Sequence, residues 1–201
     1  MDLIRAFIAI ELNDLQIKQA ITQYQQELQL SLGPLKLVNP TLMHLTLVFL
    51  DNISISTAEK IYTFLEKEIN SKYFTSMVGF NAELIGAGDF NKRVFFIKIE
   101  RQSEFLQKLN TEIVRFVRDI PEIHLKDENF SPHLTIARAK EFRPSHGKYS
   151  NESSKNPGQI VYKDLKQKYS TYHFGTWKFE RVVIKKSVLS PQGPVYSTLT
   201  F

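Results

Sequence analysis

The chain is predicted to fold as an α+β protein of two pseudo-symmetric lobes, each an antiparallel sheet with helices packed outside, facing a central groove. Three observations predict it. β-rich apolar runs of strand length alternate with segments whose apolar residues recur at helical spacing. The order strand, helix, strand occurs twice. Each occurrence ends on nearly the same words, His44-Leu-Thr-Leu47 and His133-Leu-Thr-Ile136, 89 positions apart (133 − 44). A two-copy repeat at that spacing is not a solenoid, and residues 1–201 are read as a single bilobal domain.

The elements follow in order. Residues 3–12 are mostly apolar, as in a strand buried on both faces. Asn13 and Asp14 offer N-caps for a helix to about Gln29, with Ile17, Ala20, Ile21, Tyr24 and Leu28 on its stripe. Gly33-Pro34 closes it. Residues 42–50 are β-rich and make the first motif strand. Ser56-Thr-Ala-Glu59 is a capping-box signature before a second helix with Ile61, Leu65 and Ile69 inward. Residues 75–85 and 93–100 are two strands joined by a turn at Gly86-Ala-Gly-Asp89. A third helix, 103–118, aligns Phe105, Leu109, Ile113 and Phe116. Residues 130–137 are the second motif strand. Residues 140–173 are polar and hold seven Lys/Arg against three Asp/Glu, so they are expected to be a long basic insertion. Strands at 177–187 and 195–201 finish the chain.

Composition narrows the chemistry. A formal charge of +5 favours polyanionic partners such as nucleic acid. Cysteine is absent, which excludes disulfides, thiolate metal sites and a cysteine nucleophile, and fits a cytoplasmic protein. No segment approaches the roughly 20 apolar residues that span a bilayer. The apolar run between Arg5 and Glu11 reads as a strand rather than a signal peptide, so no membrane partner is expected. Walker loop, dinucleotide fingerprint and serine elbow are all missing, which leaves ATP-driven chemistry without support.

The repeated motif carries a specific chemistry. Alternation along a strand puts His44 and Thr46 on one face and Leu45 and Leu47 on the other. His133 and Thr135 repeat the pattern. Twofold packing would bring two imidazoles and two hydroxyls into one cleft. Phosphodiester cleavage needs a proton removed from a nucleophile on one side of phosphorus and a proton given to the leaving oxygen on the other. Histidine does either near neutral pH. Threonine hydroxyls can donate to the phosphoryl oxygens, and Arg138, five residues after His133, can add a charge-assisted fork. One His-x-Thr alone is usually structural; two equivalently placed copies point to catalysis. Zinc is the rival reading, with His124, His146 or His173 as third ligand, but no acidic residue sits inside either motif. No metal and no cofactor are expected. Phe130 is a candidate for stacking on a terminal base, whereas Phe49 is expected in the core. One of Lys185 and Lys186 should face the groove.

On these residues the chain resembles the two-histidine phosphoesterase superfamily, and within it the RNA 2′,3′-cyclic phosphodiesterase or 2′-5′ RNA ligase (LigT-like) branch. His44-Leu-Thr-Leu47 and His133-Leu-Thr-Ile136 fit its two His-x-Thr/Ser-x motifs. Arg5-Ala-Phe-Ile-Ala-Ile10 resembles its first strand, and Ile184-Lys-Lys-Ser-Val-Leu-Ser-Pro-Gln-Gly-Pro-Val-Tyr196 its C-terminal hairpin. Asp51 departs from the pattern, standing where glycine is common, and 140–173 replaces a shorter loop. The resemblance implies a metal-independent opening of a terminal 2′,3′-cyclic phosphate to a 2′-phosphate, with His44 as proton donor and His133 as proton acceptor. Thr46, Thr135, Arg138 and Phe130 would bind substrate. It also implies an ATP-independent joining of a cyclic phosphate to a 5′-hydroxyl as a 2′-5′ linkage. The expected partners are RNA ends carrying the cyclic phosphate, tRNA halves among them, and the expected state is a monomer. A phosphodiesterase of a small nucleotide and a non-catalytic RNA-end-binding module are the alternatives.

Overall fold

The computed structural model describes residues 3–75, 80–101, 103–125, 129–139, 161–190 and 193–201. In chain order these form β1 (Leu3–Glu11), α1 (Leu15–Leu32), β2 (Leu35–Leu37), a 3-10 turn (Pro40–Leu42), β3 (His44–Ser54) and α2 (Ile55–Phe64). A π-helical stretch (Leu65–Asn70) and α3 (Ser71–Tyr73) continue α2. Then come β4 (Phe80–Phe90), β5 (Val94–Glu100), α4 (Ser103–Arg118), β6 (His133–Ala139), α5 (Tyr162–Lys168), β7 (His173–Phe179), β8 (Val182–Ser190) and β9 (Gly193–Thr198).

Among the described residues the strands join in the order β7-β4-β5-β6-β3-β1-β8-β9, with β2 on β6. The two expected sheets are the two halves of this order. They meet at the motif strands through one antiparallel register pair, Leu45 with Leu134. Both leucines are buried. The helices are exchanged between halves. α1 follows β1 in sequence yet packs on β6 and β7, while α4, which connects β5 to β6, packs on β3. Gly175 (φ 141°) permits the first contact, since a Cβ there would lie 2.7 Å from Ile17 Cγ1.

Local chemistry explains each helix. Asp14 caps α1, its Oδ1 accepting from the Ile17 N–H at 2.8 Å. Ile17, Ile21, Tyr24 and Leu28 form the buried stripe, and the helix runs past Gln29 to Leu32. The cap of α2 is Ser54 rather than a residue of the 56–59 box, because β3 runs directly into the helix. Ser54 Oγ accepts from the Thr57 N–H at 3.2 Å and donates to Glu122 at 2.9 Å. On α4 the core stripe is Leu106, Leu109, Ile113 and Val117. Phe105 and Phe116 sit beside it and stack on Phe80 and Phe64, with centroids 3.6 and 3.8 Å apart. Both rings extend the core at its rim, so the expected stripe of Phe105, Leu109, Ile113 and Phe116 is rotated by one residue at its ends.

Further expectations are corrected. β4 runs straight through Gly86-Ala-Gly-Asp89 to Phe90, with a register shift between Leu84 and Ala87. The turn lies at Asn91 and Lys92, both at positive φ (51° and 53°), the geometry of a tight hairpin. Of the strand expected from 75, Thr75 lies in a bend, residues 76–79 lie outside the described residues, and β4 is described from Phe80. The single strand expected over 177–187 divides at Glu180 and Arg181 into β7 and β8, which lie in opposite halves. Of the basic insertion, 140–160 also lies outside the described residues. Much of the remainder is helix rather than loop. Leu165 on α5 and Tyr169 after it are buried, Tyr169 against Tyr24 of α1 at 4.1 Å, and β7 already begins at His173.

Candidate active site

The residues flanking the Leu45–Leu134 pair project to the face opposite the core. His44, Thr46, His133 and Thr135 therefore line one groove, each half-buried. The antiparallel register sets His44 toward Thr135 and Thr46 toward His133.

Each motif strand carries an extra residue at the same place. Thr46 and Val48 pair with Ala9 and Ile8, leaving Leu47 as a bulge. Thr135 and Ala137 pair with Phe96 and Phe95, leaving Ile136. These positions are again 89 apart (136 − 47). A bulge resets the alternation of side chains. The fifth residue after each histidine thus returns to the groove face: Phe49 in one half, Arg138 in the other. Side-chain amides of the exchanged helices reach both bulge carbonyls, and Ile136 O also accepts from the Val38 N–H at 2.8 Å. Asn110 of α4 donates to Leu47 O at 2.8 Å, and Gln25 of α1 donates to Ile136 O at 2.7 Å.

The imidazoles are oriented alike. His44 Nδ1 lies 2.7 Å from Leu42 O, and His133 Nδ1 lies 2.8 Å from Ser131 O. A carbonyl only accepts, so Nδ1 carries hydrogen in both rings and Nε2 is the nitrogen free to gain or lose a proton. Aromatic rings hold each imidazole: Phe7 at 4.8 Å and Tyr196 at 5.2 Å around His44, Phe90 at 5.3 Å and Phe96 at 5.4 Å around His133.

The surroundings differ in charge. Glu11 pairs in register with His44, whereas Lys98 pairs with His133. Lys185, 6% exposed, forms an ion pair with Glu11 and donates to Thr198 Oγ1 at 3.1 Å. Burial opposes ionisation of Glu11, but Lys185 and Thr198 outweigh it and hold the carboxyl below its ordinary value. Burial pushes His44 below the usual histidine value. Its bond to Leu42 and the Glu11 charge oppose that shift, while Lys185 and Arg138 reinforce it. Burial raises the Tyr196 phenol, against the pull of Arg138 and Arg5, so it remains a hydroxyl donor at neutral pH. Arg138 of one half thus acts on two groups of the other.

The groove collects His44, Thr46, His133, Thr135 and Arg138. Phe130 is half-buried against the core, and its carbonyl accepts from Gln107 at 2.9 Å. Phe49, expected in the core, is 62% exposed, because the bulges at Leu47 and Leu50 turn it to the groove side. Asp51, in place of glycine, has φ 53°, the left-handed conformation that explains the glycine preference there. Lys185 takes the groove side, against Glu11, and Lys186 the other. His173 sits on β7, at the end of the strand order, against Glu83 at 2.5 Å; His146 lies outside the described residues. Among the described residues no group of three His, Asp or Glu converges as a metal shell. Sequence reasoning missed Glu11, Tyr196, Phe90, Phe96, Gln25 and Asn110. Only Gln25 left a trace, as a polar residue inside the apolar stripe of α1.

Comparison with known proteins identifies the family and the fold. The family model of the AKAP7 2′5′ RNA ligase-like domain matches residues 6–200. An RNA 2′,3′-cyclic phosphodiesterase of Archaeoglobus fulgidus is 26% identical over 199 residues, covering 97% of each chain. The crystal structure of TT0787 of Thermus thermophilus superposes with a TM-score of 0.70 at 26% identity, over 98% of this chain and 95% of that one. E. coli LigT complexed with 3′-AMP shares the fold, with a TM-score of 0.67 at 18% identity over 100% and 96% of the two chains.

Proposed function

The chain belongs to the 2′5′ RNA ligase-like domain family, and from that premise we propose that it is an RNA 2′,3′-cyclic phosphodiesterase working without a metal. The observation that carries this reading is the pair of half-buried imidazoles, each with Nδ1 tied to a backbone carbonyl and Nε2 left to the groove.

Water enters on the His133 side, and His133 Nε2 takes its proton as the oxygen attacks phosphorus. The bond from phosphorus to O3′ breaks on the opposite side, and O3′ takes the proton from His44 Nε2. The product is a 2′-phosphate with a free 3′-hydroxyl. Thr46 and Thr135 donate to the non-bridging oxygens, and Arg138 neutralises the charge that accumulates on them. Lys98 pairs in register with His133, so a second positive charge borders the groove on the side where water enters. In the free protein His44 is held below the ordinary histidine value. A phosphodiester anion bound beside it restores its proton.

A 5′-hydroxyl in the place of the attacking water would form a 2′-5′ linkage, driven by the strained ring. Phe130, whose carbonyl accepts from Gln107, stacks on a terminal base in this reading. RNA ends such as tRNA halves, met in the cytoplasm by a monomeric enzyme, are the substrates this reading favours; the surplus of basic residues supports it. Among the described residues no helix is long and apolar enough to cross a membrane.

The test is turnover, in EDTA, of an RNA ending in a 2′,3′-cyclic phosphate, with the product end mapped. A 2′-phosphate is the expected product. A 3′-phosphate would reverse the assigned geometry, and tight binding without turnover would replace the enzyme by a binding module.

A further inference from the structure

The groove has an aromatic wall on each side of the phosphate position, and only one is needed for a terminal cyclic phosphate. On the His44 side stand Phe49 and Tyr196, both near Phe7, at 6.4 and 5.1 Å. On the His133 side stand Phe90, 44% exposed, and Phe96, with centroids 4.4 Å apart. The second wall is built rather than incidental. Phe96 lies over Gly88, where a Cβ would come within 2.7 Å of the ring, so glycine is required beneath it. Asp89, next to Phe90, is braced from three directions: it accepts from the Lys92 N–H at 2.8 Å, the Tyr162 hydroxyl at 2.7 Å and Lys166 at 3.1 Å. That network fixes the β4–β5 hairpin against α5. Exposed cations border the wall, with Lys98 paired to His133 and Arg93 in the turn.

We infer that Phe90 and Phe96 form a second nucleoside subsite, which stacks the base of the residue contributing the 5′-oxygen of a 2′-5′ linkage. This rests on the proposed roles of the two histidines. In-line displacement puts the leaving O3′, and hence the nucleoside carrying the cyclic phosphate, on the His44 side. The opposite position, beside His133, belongs to water in hydrolysis and to a 5′-oxygen in joining or cleaving a 2′-5′ bond. A nucleoside attached to that oxygen lies over Phe90 and Phe96, and its 3′-phosphate meets Lys98 and Arg93. A stacked base needs no particular hydrogen-bond pattern, so the subsite is tolerant of sequence.

The experiment compares Phe90→Ala and Phe90→Tyr with wild type by calorimetric binding of two inert probes. One is a 2′-5′-linked diadenosine lacking the internal 3′-hydroxyl, which cannot cyclise. The other is adenosine 2′-monophosphate, which reaches only the His44 side. Phe90→Ala should raise the dinucleotide Kd about tenfold more than the mononucleotide Kd, and Phe90→Tyr should restore the ratio. Equal weakening of both probes overturns the subsite, since Phe90 would then act only by holding His133. So does an unchanged Kd for both. Because neither probe reacts, a selective loss of dinucleotide binding stands even if turnover of the cyclic phosphate is absent. That absence would instead count against the catalytic reading.

Discussion

β3 and β6 share one backbone design and differ in what surrounds it. Each has a histidine tied through Nδ1 to the carbonyl two residues before it, a threonine two residues after, a bulge three after, and an amide from an exchanged helix on the bulge carbonyl. At the pseudo-equivalent positions outside the motif, the halves diverge. Glu11, neutralised by Lys185, faces His44, and Lys98 faces His133; Phe49 stands where the other half has Arg138. Shared backbone geometry sets where a proton can be exchanged. In the proposed reaction the unshared neighbours are what distinguish the two rings.

Removing either imidazole should break the comparison most severely. His44→Ala and His133→Ala should each lower kcat/KM on a cyclic-phosphate RNA end by about 10²–10⁴-fold. A variant that retained the wild-type rate would show that its half is structural.

The pseudo-equivalent pair Arg138 and Phe49 comes next. Arg138→Ala should cut kcat by roughly 10–100-fold, because a charge-assisted donor contributes about 1.5–3 kcal/mol and acts where charge develops. Phe49→Ala should instead raise KM about tenfold through lost stacking. Steady-state kinetics on the same substrate separates the two, and the opposite partition would exchange their roles.

The pH response sharpens the charge difference. Lys185 pulls the His44 proton affinity down and Glu11 pushes it up. Lys185→Met should therefore raise the His44 titration midpoint, and Glu11→Gln should lower it, as read by ¹⁵N-resolved NMR of the imidazoles. The alkaline limb of kcat/KM should move with His44 if that ring is the donor. Stability follows the same signs. A folded-state value for His44 below about 6.5 means the unfolded chain binds the proton better, so stability falls as pH drops from about 6.5 toward the folded value. Glu11, with its folded value lowered, adds stability that is lost as pH falls through that value. Acid should therefore weaken the packing of β1 against β3 and β8, which hydrogen exchange would detect as faster opening of those strands.

Smaller effects concern the bulges. Gln25→Leu leaves a buried carbonyl with one donor fewer and should cost about 1–3 kcal/mol in chemical denaturation. Asn110→Leu, at a half-buried site, should cost less. Asp51→Gly relieves a left-handed aspartate and should gain roughly 0.5–1 kcal/mol. Destabilisation by that change would mean the Asp51 side chain makes a compensating contact.

The sequence by itself determined the parts that periodicity and capping control. β1, α1, both motif strands and the 89-residue repeat are short-range patterns, and so is the projection of His44, Thr46, His133 and Thr135 away from Leu45 and Leu134. Tertiary structure alone decided the rest. A bulge is a mismatch between two strands, so no single strand's pattern reveals that Phe49 and Arg138 return to the groove. The glycines at 86 and 88 look like a turn until β5 and Phe96 are laid against them. Glu11, Lys185 and Tyr196 are distant in sequence from His44, and they surround it because β1 lies between β3 and β8 and β9 closes on β8. Even the exchange of α1 and α4 between halves is invisible to amphipathicity, which specifies that a helix buries one face but not which sheet receives it.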